Sequence, residues 1–247
     1  MDTWKIASEN LKRYPHFDAQ LSIAAATKLA TDPKAVASHT FYPFLLYSDR
    51  WTRFAPLGKQ GDVKLRPIRY SARGDAYIFS YYRHVLSRAY EAALASNALS
   101  DSILAYRRIM DEDGKGKCNI HFARDAFDTI SKLGNCCVVA LDISGFFESL
   151  DHDRLKAAWC ELLGVKKLPE DHFRVFRAIT RYTVVEKQAV YERLGYFGPK
   201  PSSKSGKPSS GYLVSYKDMP KQLCSGLEFR QKIAGGGTAR RVLSMSI

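Results

Sequence analysis

The chain is predicted to fold as an α+β protein, with helices and strands in separate runs instead of a regular βαβ alternation. Three observations lead to that expectation. The stretch IFSYYRHVLSRAYEAALAS sets Tyr82, Val85, Leu86, Ala89, Ala93 and Leu94 along one stripe of a helix. The stretch APLGKQGDVKLRPIRYSARGD has the turn signals of a hairpin, with its bend at residues 58–62. NCCVVALD is a short β-prone run that ends on Asp142.

In chain order, residues 18–32, DAQLSIAAATKLATD, have helical spacing, with Asp18 as the cap and Asp32-Pro33 as the stop. Residues 41–53, FYPFLLYSDRWTR, read as aromatic and irregular, and the hairpin follows. From 49 to 73 there are seven basic residues and two acids, so the hairpin carries a local share of positive charge. After the long helix, DEDGKGK at 111–117 is a turn and HFARDAFDTISKL a second helix. Residues 136–142 are the expected strand. Asp151 or His152 opens a helix that Gly164 stops, and Pro169 stands as the first helical residue of PEDHFRVFRAITRY. Residues 198–217, GPKPSSKSGKPSSGYLVSYK, read as a flexible basic loop.

At 247 residues, with 45% hydrophobic and 12% aromatic residues, the chain can bury a core. Its net charge of +13 favours a polyanionic partner, nucleic acid first and an anionic membrane surface second. No apolar run approaches the ~18 residues of a membrane span, and the N-terminus has no apolar secretion signal. The five cysteines, Cys118, Cys136, Cys137, Cys160 and Cys224, have no metal-binding spacing. Cys136 and Cys137, inside an apolar run, read as small core residues of a reducing compartment, so a cytoplasmic location is expected.

The residues with a chemical reading are in LDISGFFESLDHDRL, 141–155. A carboxylate at a strand end is a ready Mg²⁺ ligand, because Mg²⁺ takes hard oxygens from one or two carboxylates and from phosphates. Polymerases use two such ions to activate a 3′-hydroxyl and to stabilise the leaving pyrophosphate. The Ile143 carbonyl adds a second protein oxygen, and an aromatic a few residues on can exclude a ribose 2′-OH. The plainer alternative is that Asp142 ends a strand and caps a turn while Phe146 and Phe147 fill the core. Glu148 and Asp151 read as cap or surface residues, and His152 as structural.

This stretch resembles motif A of reverse transcriptases, especially the bacterial group-II-intron, retron and abortive-infection types, whose pattern is Asp-(Ile/Leu)-x-x-Phe-Phe, a short gap, His, and a Leu opening a helix. KLRPIRYSARGDAYIFSYYRHVL is similar to the fingers segment of that family, and LAYRR…GKGKCNIHFARDAF to the stretch leading into motif A. The similarity runs from about residue 54 to residue 196. It implies a right-hand polymerase, here the fingers and the first part of the palm, incomplete. The implied organisation is an N-terminal extension (1–53), a fingers-like region (54–135), the first half of a palm (136–197) and an unmatched basic tail (198–247).

By position, the resemblance makes Asp142 the metal-binding catalytic aspartate, the Ile143 carbonyl the backbone ligand and Phe147 the sugar gate, with Phe146 in the palm core. Arg66 becomes the arginine that grips the incoming triphosphate. Lys59 is the best match for its lysine partner, and Lys64 is the rival. The implied partners are an RNA template, a DNA or RNA primer, dNTP and two Mg²⁺ ions, without a membrane, in antiviral defence. The family's G-x-P-Q-G loop and its (Tyr/Phe)-x-Asp-Asp turn do not occur here, and the sequence contains no Asp-Asp dipeptide. The expectation is therefore a polymerase truncated before those motifs and inactive alone. A split enzyme completed by a second polypeptide and a non-catalytic RNA-binding derivative stand as alternatives.

Overall fold

Helix formation begins at Ser22, whose hydroxyl accepts from the Ala25 N–H at 3.2 Å and opens α1 (Ile23–Thr31). Asp32 closes that helix through its N–H to the Lys28 carbonyl. Its carboxylate opens α2 (Pro33–Ser38) by accepting from the N–H groups of Lys34 and Ala35 at 2.9 and 3.3 Å. Asp18, expected to cap the first helix, instead accepts from the Gly74 N–H at 2.7 Å and from Arg73 Nε at 3.3 Å. It thereby serves the start of a distant helix and compensates the fully buried Arg73 guanidinium, which also donates to the Asp18 carbonyl.

The computed structural model describes residues 4–56, 61–147, 149–198, 212–213, 219–234 and 239–241. It is a mixed α+β fold in two units, one from Met1–Arg83 with Lys167–Ser244, the other His84–Lys166. The remaining elements are β1 (Phe44–Thr52), β2 (Val63–Tyr70), α3 (Arg73–Ser96), α4 (Asn119–Leu133), α5 (His152–Leu162), α6 (Glu170–Thr180), β3 (Thr183–Glu186), α7 (Lys187–Arg193), β4 (Phe197–Gly198), β5 (Tyr212–Leu213) and β6 (Ala239–Arg241).

In the first unit β1 and β2 form the expected hairpin, antiparallel from Leu45↔Tyr70 to Thr52↔Val63. Its first strand comes from the segment that reads as irregular. The outer half of β1 is exposed on both faces, so it has no apolar–polar alternation to mark it as a strand. β3 joins β1 in parallel and β6 joins β3 antiparallel, giving the order β2-β1-β3-β6; β4 and β5 form a separate pair. Leu45, Val185, Val190, Tyr191, Leu223 and Ile233 form the core beside the inner half of the hairpin. The Asp75 carboxylate, buried in the first turn of α3, accepts from the Tyr42 N–H at 2.9 Å and pairs with His39 Nε2 at 2.7 Å. Arg174 on α6 donates to the His39 carbonyl at 2.7 Å. Pro169 is the N-cap of α6, one position before its expected place.

In the second unit Arg107 forks onto Glu91 at 2.9 and 2.7 Å, and donates to the carbonyls of Ser100 and Ile103, both at 2.6 Å. The 111–117 turn forms as expected: the Asp111 carboxylate accepts from the N–H groups of Asp113 and Lys115 at 3.1 and 2.7 Å. α5 starts and stops as read, with Asp151 as N-cap and Gly164 at φ 65° beyond its end. The expected strand at 136–142 is absent: these residues have no regular secondary structure. A β-prone run becomes a strand only against a partner, and among the described residues none pairs with it. Cys136 and Cys137, expected in a core, are exposed. Most of the 198–217 loop lies outside the described residues.

Candidate functional site

On β2 successive side chains alternate between faces, so Lys64, Arg66, Ile68 and Tyr70 share one face with their opposite partners Trp51, Asp49, Tyr47 and Leu45. The inner end of this face is anchored, because Leu45 is fully buried and Tyr70 packs against the core. The outer end, with Lys64 and Arg66, is exposed. A rooted hairpin thus carries two cations outward on one face.

Arg66 extends over the Trp51 ring, with Cζ 5.6 Å from the centroid. Asp49 is its directly opposite residue, yet no ion pair joins the two. Among the described residues, neither Arg66 nor Lys64 has a carboxylate partner. Further in on the same face, Lys187 Nζ lies 4.1 Å from the Tyr47 ring centroid, and burial pushes the Lys187 pKa down. At the base of the connecting loop the Arg53 N–H donates to the Asp62 carbonyl at 2.9 Å. A Cβ on Gly61 would fall 1.8 Å from the Arg53 carbonyl oxygen, so glycine is required there. Lys59 lies outside the described residues.

Asp142 and Ile143 belong to the second unit, in the exposed stretch without regular structure. The Asp142 carboxylate has no hydrogen-bond or ion-pair partner among the described residues. Its apolar neighbours are open as well: Val139 is 74% exposed and Leu141 92%. A turn at 144–147 follows, in which Gly145 has φ 63° and its carbonyl accepts from the Ser149 N–H at 3.0 Å. Phe147, 63% exposed, meets Phe146 edge-on at 5.2 Å and Tyr106 at 6.2 Å. Phe146 is exposed too, contrary to the expectation of a core position. Tyr106 holds φ 61°, a left-handed conformation uncommon outside glycine.

The structure therefore brings Arg66 and Lys64 together on one strand face, and Asp142, Ile143 and Phe147 together in one loop; the two sets belong to different units. Asp151 is committed to its cap, accepting from Asp153 and Arg154 N–H groups, which holds its carboxyl below the usual range. Glu148 lies outside the described residues, and His152 is the first residue of α5. Asp142 and the Ile143 carbonyl are hard donors of the type Mg²⁺ takes. Among the described residues, however, no group of three or more His, Cys, Asp or Glu side chains is placed to hold a metal ion. The residues present thus do not fit a two-ion site by themselves. Sequence reading passed over Trp51, whose signal was a tryptophan opposite a basic strand.

No protein-family model matches the chain, and no curated protein matches it. No helix among the described residues is long and apolar enough to cross a membrane.

Proposed function

We propose that the chain carries the fingers and first palm portion of an RNA-directed DNA polymerase of the bacterial, defence-associated kind, without the second catalytic motif and inactive by itself; a split enzyme completed by a second polypeptide is the alternative. The observation that carries this reading is the rooted hairpin, which presents Arg66 and Lys64 on one face with no carboxylate partner among the described residues. A triphosphate needs a forked guanidinium and a point charge that are not already spent on protein acids. Charge distribution supports it further. Of 38 Lys and Arg and 25 Asp and Glu, ten and twelve fall within His84–Lys166, so that unit is −2 and the other carries +15. The basic unit suits an RNA template and its primer, held by backbone charge and shape.

In this reading Arg66 takes the triphosphate of the incoming dNTP, with Lys59 or Lys64 beside it. Asp142 and the Ile143 carbonyl would supply oxygens to Mg²⁺ and Phe147 would screen a sugar; further carboxylates would have to complete a two-ion site, whose chemistry would be Lewis-acid assistance to nucleotidyl transfer. In the split-enzyme alternative a second polypeptide would bring those carboxylates. A non-catalytic RNA-binding chain is the competing reading, and the same charge distribution favours it.

Calorimetric titration with Mg²⁺·dTTP separates them. The polymerase reading expects saturable binding that Arg66→Ala weakens at least tenfold, the loss of a charge-assisted phosphate contact. RNA binding with no dTTP response in the parent chain, or a response indifferent to Arg66, supports the non-catalytic reading.

A further inference from the structure

The first unit contains a second feature that the polymerase reading does not use. A cleft of about 250 Å³ opens beside the start of β1, between α3 and the end of α6. Its walls are aromatic. Phe41 and Phe79 stack at 5.3 Å with 15° between their planes, and Phe44 continues the array on Phe79 at 6.2 Å and 8°. Tyr182 meets Phe44 edge-on at 5.3 Å. All these rings are half-buried, so part of each remains open. Among the described lining residues Arg181 alone is charged and none is a carboxylate, while Arg69 Cζ lies 6.0 Å from the centroid of the Tyr182 ring. Arg181 is exposed, and its guanidinium has no hydrogen-bond, ion-pair or ring partner among the described residues.

We propose that this cleft binds one nucleotide, its base among the Phe41, Phe44 and Phe79 rings and its phosphate on Arg181. Parallel, part-open rings offer stacking surface to a flat heterocycle. An unpaired guanidinium at an aromatic cleft with no carboxylate in its lining selects an anion and disfavours a cation. The volume is below the roughly 300–1,000 Å³ of sites that enclose a whole drug-sized ligand. One base therefore enters, and the sugar and phosphate remain at the rim, within reach of Arg181. Bases are available both as free nucleotides and as unstacked positions of a single strand, and the chemistry is the same for both.

The site uses neither Arg66 nor Lys64 and needs no metal ion, so its test is made in EDTA. The probe is 2-aminopurine riboside 5′-monophosphate, whose fluorescence falls when its base stacks. The expected result is saturable quenching, weakened about tenfold by Phe79→Leu and about tenfold by Arg181→Gln. The unphosphorylated riboside should bind the parent chain and Arg181→Gln equally. Quenching of the same base inside a ten-nucleotide single-stranded RNA assigns the site to a strand, and its absence there assigns it to the free nucleotide. Circular dichroism checks that each variant is folded. No quenching in the parent chain, undiminished quenching in Arg181→Gln, or phenyl phosphate competing as tightly as the nucleotide would overturn the proposal.

Discussion

His16 has a fully buried imidazole against the rings of Phe17, Tyr42 and Tyr70, and its Nδ1 accepts from the Phe17 N–H at 2.9 Å. Burial, partly offset by the neighbouring Asp18 carboxylate, pushes its pKa down to about 4 from the ordinary 6.5. As pH falls below 6.5 the unfolded chain takes up this proton before the folded one does. The contribution of His16 is therefore complete above pH 6.5 and is lost as pH falls through 4, a loss of about 3 kcal/mol. Asp75 works with the opposite sign, because burial raises its pKa and acid then favours the folded form. Urea unfolding of the parent chain and of His16→Gln at pH 7 and pH 4 isolates the His16 contribution. The parent should lose more stability than the variant across that interval; equal losses would mean that His16 does not titrate from a buried state.

Two leucines show how burial distinguishes the elements. Leu45, on β1, is fully buried in the core, whereas Leu141 lies in the exposed run before Asp142. Leu45→Ala should cost about 2–5 kcal/mol in urea unfolding, and Leu141→Ala about 0.5 kcal/mol or less; comparable costs would mean that the run is packed after all. The same contrast explains what the sequence could reveal. α3, α4, α5 and α6 were legible because stripes, caps and glycine stops are local signals, and the hairpin was legible from its turn. β1 was hidden because its outer half alternates nothing. The 136–142 strand was wrongly expected because propensity alone does not supply a pairing partner. Asp18 was misassigned because its true contacts, Arg73 and Gly74, lie 55 and 56 residues away in sequence. Within the candidate site, the residue types and spacing could be read directly, whereas the stacking of Arg66 on Trp51 depended on strand register.

For the chain as a whole, the positive charge lies in one unit and most of the exposed large apolar residues among those described lie in the other. Val138, Val139, Leu141, Ile143 and Phe147 are all exposed in the unit without net positive charge, together with Ile120, Phe127 and Leu133 on α4. Apolar residues left open in this way are candidates for an interaction surface. Hydrogen exchange on the chain alone should find the amides of 137–143 almost unprotected and those of α3 and the inner part of β1 slow. Slow exchange across 137–143 in the monomer would mean that the run already has a partner within the chain.

Whether the hairpin cations take a triphosphate is tested most directly by dTTP binding in EDTA, in the parent chain, in Arg66→Ala and in Lys64→Ala. Binding should be saturable in the parent chain, weaken at least tenfold in Arg66→Ala and weaken less in Lys64→Ala. Equal binding by all three proteins would contradict it.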